Sequence, residues 1–337
     1  MIRFNNDYNL TSHEAVLKAL GEASGSYGGY GADEWCARAA DLLRAEAARP
    51  DAGVFFFSGA TQANLVTIKA ALSPVQSVIC PAAGHINAHE AGAVESTGHK
   101  ILTLPTPDGK ITAAQIREEA SSYYDFGRPE YLTEPGLVYV SFSTEWGTVY
   151  SRKELEDISE VCRRYGMLLF VDGARLGYGL AAEGCDVTMA DLARVADAFY
   201  VGGTKCGALF GEALLVSDRV LKRRMMACMK QSGAVLAKGW LMGVQFSALF
   251  ENGLYYAITR RADELAMKIR DAVRARGIPE KVVSPTNQQF VVLTDAQKKN
   301  LTDRFLFEDM GDCVRICTSW GTRTEDACDL IRAIVEC

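Results

Sequence analysis

One acid and one lysine stand at the ends of apolar runs, where they could act together. Between Met167 and Val216 the chain reads MLLFVDGARLGYGLAAEGCDVTMADLARVADAFYVGGTKCGALFGEALLV. Three stretches of it, Met167–Val171, Ala198–Val201 and Ala213–Val216, are short, partly β-branched or aromatic, and nearly free of charge. Strands buried on both faces of a parallel sheet read this way. The first run ends in Asp172, and the second leads through Gly202, Gly203 and Thr204 into Lys205. Ligands of open α/β sheets sit at the carboxyl ends of the strands, so both residues are expected in one crevice. A lysine can hold an aldehyde as a Schiff base, and an acid can keep a pyridine nitrogen protonated. These are the two demands of pyridoxal phosphate (PLP). The plain alternative is a structural ion pair beside the sheet. Small residues on both sides of Lys205, from Gly202 to Ala208, leave room for a planar ring and favour the cofactor.

Two other stretches fit the same chemistry. Val54–Phe57 reads as a strand that stops at Ser58-Gly59-Ala60-Thr61-Gln62-Ala63-Asn64, with a helix following to Leu72. A strand, a small-residue turn and a helix start present free amides to a phosphate. An ordinary Ser or Thr cap is the simpler account of such a turn. His85 and His89 lie four apart at the next helix start, a spacing that zinc sites use. No third ligand is visible and neither HExxH nor HxxEH is present, so no metal is expected. An imidazole stacked on the cofactor ring suits the site better.

The elements that must carry these residues alternate. Strands are expected at Val54–Phe57, Ser77–Cys80, Lys100–Leu104 and Leu137–Phe142, before the three runs described above. Helices are expected at 11–24 with Thr11 or Ser12 as cap, from Asp33 to Ala48, over 112–124, and from Ser151 to Tyr165. Residues 125–136 read as a loop. This alternation predicts an α/β fold with a mainly parallel central sheet flanked by helices. Residues 218–250 and 259–276 read as helices. Beyond them come strands at Gln289–Leu293, Phe305–Glu308 and Cys313–Thr318, and helices at Asp295–Asn300 and Thr324–Val335, a smaller C-terminal α/β layer.

Composition narrows the function classes. The 337 residues are 48% apolar and 23% charged, with a net charge of −6, as in an ordinary soluble enzyme. No basic face points to nucleic acid or to an anionic membrane. No run is long and apolar enough to span a bilayer. The opening MIRFNNDYNLTSHE has no apolar leader segment, and cytoplasmic residence is expected. The 10 cysteines are scattered without a CxxC pair and read as reduced, mostly buried thiols.

Taken together, VDGARLG (171–177), GGTKCG (202–207) and SGATQAN (58–64) resemble PLP-dependent enzymes of fold type I, in particular low-specificity threonine aldolases and their β-eliminating-lyase relatives. NNDYNLTSHEAVLKAL (5–20), YGADEW (30–35), HINAHEAGA (85–93), STEWGTVYS (143–151) and VRICTSWGTRTED (314–326) follow in the family's order, so the resemblance covers nearly the whole chain. It implies that Lys205 carries PLP, Asp172 pairs the pyridine nitrogen and His85 stacks on the ring. It implies that Gly59, Ala60 and Thr61 hold the phosphate and that Thr204 also contacts the cofactor. Arg175 would lie near the cofactor oxygen and the substrate carboxylate, and Arg315 would be the main carboxylate clamp. Asn6 and Tyr30 would join the substrate site. The implied domains are 1–25 as a segment joining the small domain or a dimer interface, 26–240 as the large domain, and 241–337 as the small one.

The chain departs from the family at three positions. Asn6 stands where a serine is usual, and Ala60 where a second glycine is usual. A histidine associated with the substrate hydroxyl is expected before the strand at 135–142, and Tyr131 is its nearest equivalent. The activity implied is cleavage of L-threonine or L-allo-threonine to glycine and acetaldehyde. β-Elimination, racemisation or transamination would use the same cage, since function lives in the site. A non-catalytic PLP-fold protein is the remaining alternative, and the intact Lys205, Asp172 and Arg315 speak against it. A homodimer or homotetramer is implied. The Tyr27–Asp33 loop would reach a neighbouring subunit's cofactor, and the stripe Val16, Leu17 and Leu20 would be left needing a partner.

Overall fold

The computed structural model describes residues 1–125 and 129–336. Cys337 and residues 126–128 of the expected 125–136 loop lie outside the described residues. A short strand, β1 (Ile2–Arg3), opens the chain. The next seven are β2 (Gly53–Phe57), β3 (Gln76–Pro81), β4 (Lys100–Leu104), β5 (Glu134–Ser141), β6 (Leu168–Asp172), β7 (Ala198–Gly202) and β8 (Glu212–Val216). They form one sheet in the order β2-β8-β7-β6-β5-β3-β4.

Period-two alternation splits each central strand between two cores. Val138, Val140, Leu169, Val171, Phe199 and Val201 enter one cluster. Leu137, Tyr139, Phe170, Ala198 and Tyr200 enter the other, beneath helices Ala60–Ala71 and Arg219–Gln231. A strand covered on both faces must be apolar at every position, which is why these runs carry so little charge. Fully burying each Val, Leu or Phe contributes on the order of 1.5–3 kcal/mol. The layout is the mixed, mostly parallel α/β sheet expected from the sequence.

The direction of one strand departs from expectation. The run at Ala213–Val216 was expected in a parallel sheet, but β8 runs antiparallel to both β7 and β2. Only residues 203–211 separate β7 from β8, too few for the crossover that a parallel neighbour needs. The reversal gives Lys205 a tight loop between two paired strands rather than a helical crossover.

A second layer is made by β9 (Glu280–Val282), β10 (Gln288–Val291), β11 (Phe305–Leu306), β12 (Glu308–Asp309) and β13 (Val314–Cys317). Four of these pair in the order β12-β13-β10-β9, while β11 pairs in parallel with β1. The strand expected at Phe305–Glu308 is therefore two short ones serving different sheets. Helix Leu254–Ala275 starts earlier than the expected 259 and packs on helices Leu176–Ala181 and Thr324–Glu336, bridging the two layers.

The first helix spans Glu14–Glu22 and is capped by His13, whose Nδ1 accepts from the Ala15 amide at 3.2 Å. Thr11 and Ser12, the expected caps, do not cap it. Ser12 Oγ donates instead to the Gly207 carbonyl at 3.0 Å. The apolar stripe of this helix also finds a partner within the chain. Val16 is fully buried, Leu20 packs on the same core, and the helix lies against Trp240–Phe250. Leu17 stays 44% exposed.

Candidate active site

Most of the residues singled out sit at the carboxyl edge of the main sheet. Asp172 ends β6, Lys205 follows β7, Gly59 and Ala60 follow β2, His85 follows β3, and Glu145 follows β5. Ala60, His85, Ser141, Glu145, Asp172, Arg175, Tyr200 and Lys205 line one inner chamber. His85, Glu145, Arg175 and Lys205 also line an outer chamber of about 340 Å³, with Tyr8, His89, Glu308 and Arg315 at its mouth. The expected pairing of Asp172 and Lys205 in one crevice is therefore what the fold produces. The edge needs Gly173, because a Cβ there would stand 1.7 Å from the Tyr200 carbonyl oxygen.

Asp172 is buried and held on every side. Its Oδ1 accepts from the Ala174 amide at 2.9 Å, and its Oδ2 accepts from Tyr139 at 2.5 Å and from Asn64 Nδ2 at 3.0 Å. Burial alone would raise its pKa. The nearby His85 and the tyrosine hydrogen bond outweigh that and hold the carboxyl below its ordinary value. It is thus an anion ready to pair with a protonated ring nitrogen. Asn64 also donates to Glu90 Oε1 at 2.8 Å, and the same oxygen lies 2.8 Å from His85 Nδ1. Glu90 so fixes the plane of the His85 imidazole. His85 and His89 lie with ring centroids 5.5 Å apart. Among the described residues, no three His, Cys, Asp or Glu side chains come together as a metal site.

Burial lowers the Lys205 pKa, and the Arg175 charge adds to this. A depressed amine is closer to its neutral, nucleophilic form. Behind it, Glu212 Oε2 accepts from the Gly203 amide at 3.0 Å. Burial pushes the Glu212 carboxyl up to about 8. Thr204 Oγ1 accepts from the Gly211 amide at 2.9 Å, closing the loop that carries Lys205.

The helix Ala60–Ala71 starts at Gly59 with no side-chain cap, whereas helices Ala113–Tyr124, Arg152–Tyr165 and Asp295–Thr302 each carry a full capping box. An uncapped start facing the site leaves its amides for an anion. Ala60 takes no positive φ, so the glycine usual there is not required, and a Cβ on Gly59 would meet nothing within 4 Å. Thr61 is exposed and lines neither chamber.

The substrate end is assembled from the chain's two ends. Arg175 Nε and Nη2 donate to Asp7 Oδ2 and Oδ1 at 2.7 and 3.1 Å. Burial would raise Asp7, but the charges of Arg175 and Lys205 hold it well below the usual carboxylate range. Asn287 Nδ2 donates to the same Asp7 at 3.0 Å. Arg315 donates to the Asn5 carbonyl at 3.2 Å and to Gln288 Oε1 at 3.1 Å, and it is ion-paired with Glu308.

Besides Thr61, three expected residues are placed elsewhere. Asn6 turns its Oδ1 onto the Tyr8 amide at 3.1 Å; Tyr8 lines the outer chamber instead, and the Asn5 carbonyl accepts from Arg315. Tyr131 is 73% exposed in a short 3-10 turn and lines neither chamber. Tyr30 stands at a separate apolar groove of about 600 Å³, roomier than either chamber but without the chemistry above. The sequence reading also missed residues. Asn64 and Glu90 lay inside motifs already singled out. Asp7 and Glu145 also lay inside the motifs at 5–20 and 143–151, without being singled out there, whereas Tyr139 and Glu212 carried no local pattern that marks them.

A lysine, an aspartate and a histidine converging on the carboxyl edge of a mostly parallel sheet, with an uncapped helix start beside them, define the class of the aspartate aminotransferase-like PLP enzymes. A Thermus thermophilus aspartate aminotransferase covers the whole chain with a TM-score of 0.75 at 15% identity, a likeness of fold alone. The chain belongs to the beta-eliminating lyase family, whose model matches residues 11–296. It is 32% identical to the low specificity L-threonine aldolase of Pseudomonas sp. over 91% of this chain and 90% of that one. The low specificity L-threonine aldolase of Pseudomonas aeruginosa is 31% identical over 94% and 92%. A structure of Leishmania major threonine aldolase matches with a TM-score of 0.95 and 39% identity, covering 100% of this chain and 99% of that one.

Proposed function

We propose that this chain is a PLP-dependent aldehyde-lyase that cleaves L-threonine or L-allo-threonine to glycine and acetaldehyde. The observation that carries the reading is the shared inner chamber of Lys205 and Asp172, open to an outer chamber with Arg315 at its mouth. When bound, the cofactor supplies a conjugated ring that takes up the electron pair of the bond broken at Cα. The chain's own residues do the rest. Lys205, its amine brought toward the neutral form by burial, would hold the cofactor aldehyde. Asp172 would hold a proton on the ring nitrogen, and His85, set by Glu90, would stand beside the ring. The uncapped helix start at Gly59 and Ala60 would receive the phosphate through its free amides. Arg315 presents a planar fork for the substrate carboxylate, and Arg175, tied to Asp7, supports it.

A product assay on purified protein tests the reading. Acetaldehyde with glycine is expected from threonine, and pyruvate with ammonia from serine would replace it with an eliminating lyase. A homodimer or homotetramer in the cytoplasm belongs to the same proposal. Tyr30 is 55% exposed, holds φ at 62°, and lies away from its own chain's Lys205, as suits a residue that serves a neighbour. Mixing Tyr30→Ala with Lys205→Ala protein is expected to recover activity that neither has alone. A fully active monomer by light scattering would defeat the shared site.

A further inference from the structure

Glu145 is a carboxyl that the cofactor roles above leave unused. It lies in the Ser143–Gly147 turn after β5 and lines both chambers, beside His85, Arg175 and Lys205. One of its oxygens is fixed. Oε1 accepts from Ser141 Oγ at 2.7 Å and from the His85 amide at 2.9 Å. The other, Oε2, is shielded from solvent and has no hydrogen-bond partner within the chain. Leaving such an atom unpaired costs on the order of 1–3 kcal/mol, so its retention calls for an occupant that donates to it.

The turn cannot easily swing away. Thr144 and Thr148 hydroxyls pair at 2.7 Å, and Trp146 packs on Phe290 with centroids 5.0 Å apart. Ser284 and Thr286 hydroxyls both donate to the Gly147 carbonyl, at 3.1 and 2.9 Å. Gly147 has φ of 70°, and a Cβ there would stand 2.3 Å from Ser284 Oγ. The carboxyl is therefore held at the junction of the two chambers by both layers of the molecule.

We propose that Glu145 exchanges the proton of the substrate's β-hydroxyl, an inference that rests on the lyase reading above. The other candidates are committed or misplaced. Both Asp172 oxygens accept from the chain, Glu90 lies behind His85, and Glu308 is paired with Arg315. Tyr131 lines neither chamber. His89 reaches the outer chamber only, whereas Glu145 reaches both. Burial raises the Glu145 pKa, and the charge of Asp172 adds to the rise. A carboxylate so raised is a stronger base than an ordinary one.

The step balances without an outside reactant. The hydroxyl proton passes to Oε2, the O–H pair becomes the second bond of the aldehyde carbonyl, and the Cα–Cβ bond breaks with its pair left at Cα. Cα then gains one proton to become glycine, matching the one removed from oxygen.

The test separates the β-hydroxyl from the rest of the chemistry. Holoenzyme is assayed for threonine cleavage and for exchange of the glycine Cα proton in deuterated water, which needs the cofactor site but no hydroxyl. Absorbance titration of apoprotein with PLP measures loading. Glu145→Gln is expected to lose about 100-fold in cleavage, the usual share of a positioned proton transfer. Its glycine exchange and PLP loading are expected to stay near wild type, and Glu145→Asp to recover part of the cleavage. His89→Gln is expected to lose less than Glu145→Gln. The inference is overturned if Glu145→Gln cleaves like wild type, if it loses exchange and loading along with cleavage, or if His89→Gln takes the larger, selective loss. A wild type that exchanges glycine protons but cleaves no β-hydroxy-α-amino acid would instead defeat the lyase reading and carry this inference down with it.

Discussion

The inner chamber and the outer chamber are built on different terms. The inner wall comes from the ends of neighbouring strands, and its central acid is saturated. Asp172 accepts from three donors, on β5, on the helix after β2, and on its own turn. The outer mouth is drawn from residues at 8, 145–146 and 308–315, and two of its charged groups keep an atom in reserve, as the inner Tyr200 hydroxyl also does. Glu145 Oε2 and Arg315 Nε are both buried without a partner. A saturated group is fixed before any ligand arrives, and an unsaturated one is finished by the ligand. On the proposed reading, the saturated Asp172 works at fixed geometry inside, Glu145 at the junction takes part in the chemistry, and Arg315 at the mouth serves recognition.

The largest effects should come from the inner wall. Lys205→Ala is expected to abolish turnover while circular dichroism shows the fold intact. Borohydride reduction followed by mass spectrometry should place the PLP adduct of wild type on Lys205. An adduct on another lysine would break the assignment of the inner chamber.

Asp172→Asn is expected next, with a kcat loss of at least about tenfold, or 1.4 kcal/mol of barrier. Thermal unfolding should change far less than the rate. A smaller kcat loss would mean that saturation around Asp172 serves the fold and not the reaction.

Mouth variants should act on binding instead. Arg315→Gln is expected to raise KM about tenfold or more for threonine, since a charged bidentate partner for the carboxylate is lost. If kcat falls and KM stays, the division between the two chambers is wrong. The smallest effect is expected from Glu308→Gln. On the proposed reading Glu308 competes with a substrate carboxylate for Arg315, so removing its charge should lower KM by about two- to threefold. A raised KM would show that Glu308 orients Arg315 and does not compete for it.

The same division separates what could be read from the sequence. Strands β5 to β7 and their turns were legible because burial on both faces enforces unbroken apolar runs, and each run ends where the chain must turn. Asp172, Lys205, His85 and the turn after β2 were legible for that reason, each lying within a few residues of such a stop. The alternation did not reveal the direction of β8. An apolar run reads the same either way, and only the short span 203–211 carried the information.

The sequence by itself determined the mostly parallel sheet, the carboxyl-edge motifs and the family they resemble. Only the tertiary structure decided the partners of these motifs. Asp7 meets Arg175 across 168 positions and Asn287 across 280. The Asn5 carbonyl, not Asn6, reaches Arg315, and Glu145, not Tyr131, lines both chambers. Local patterns arise from each residue's own burial and backbone, which neighbouring residues reveal. A buried charge is settled by whichever opposite charge the fold brings within hydrogen-bond reach, and no spacing along the chain encodes that meeting.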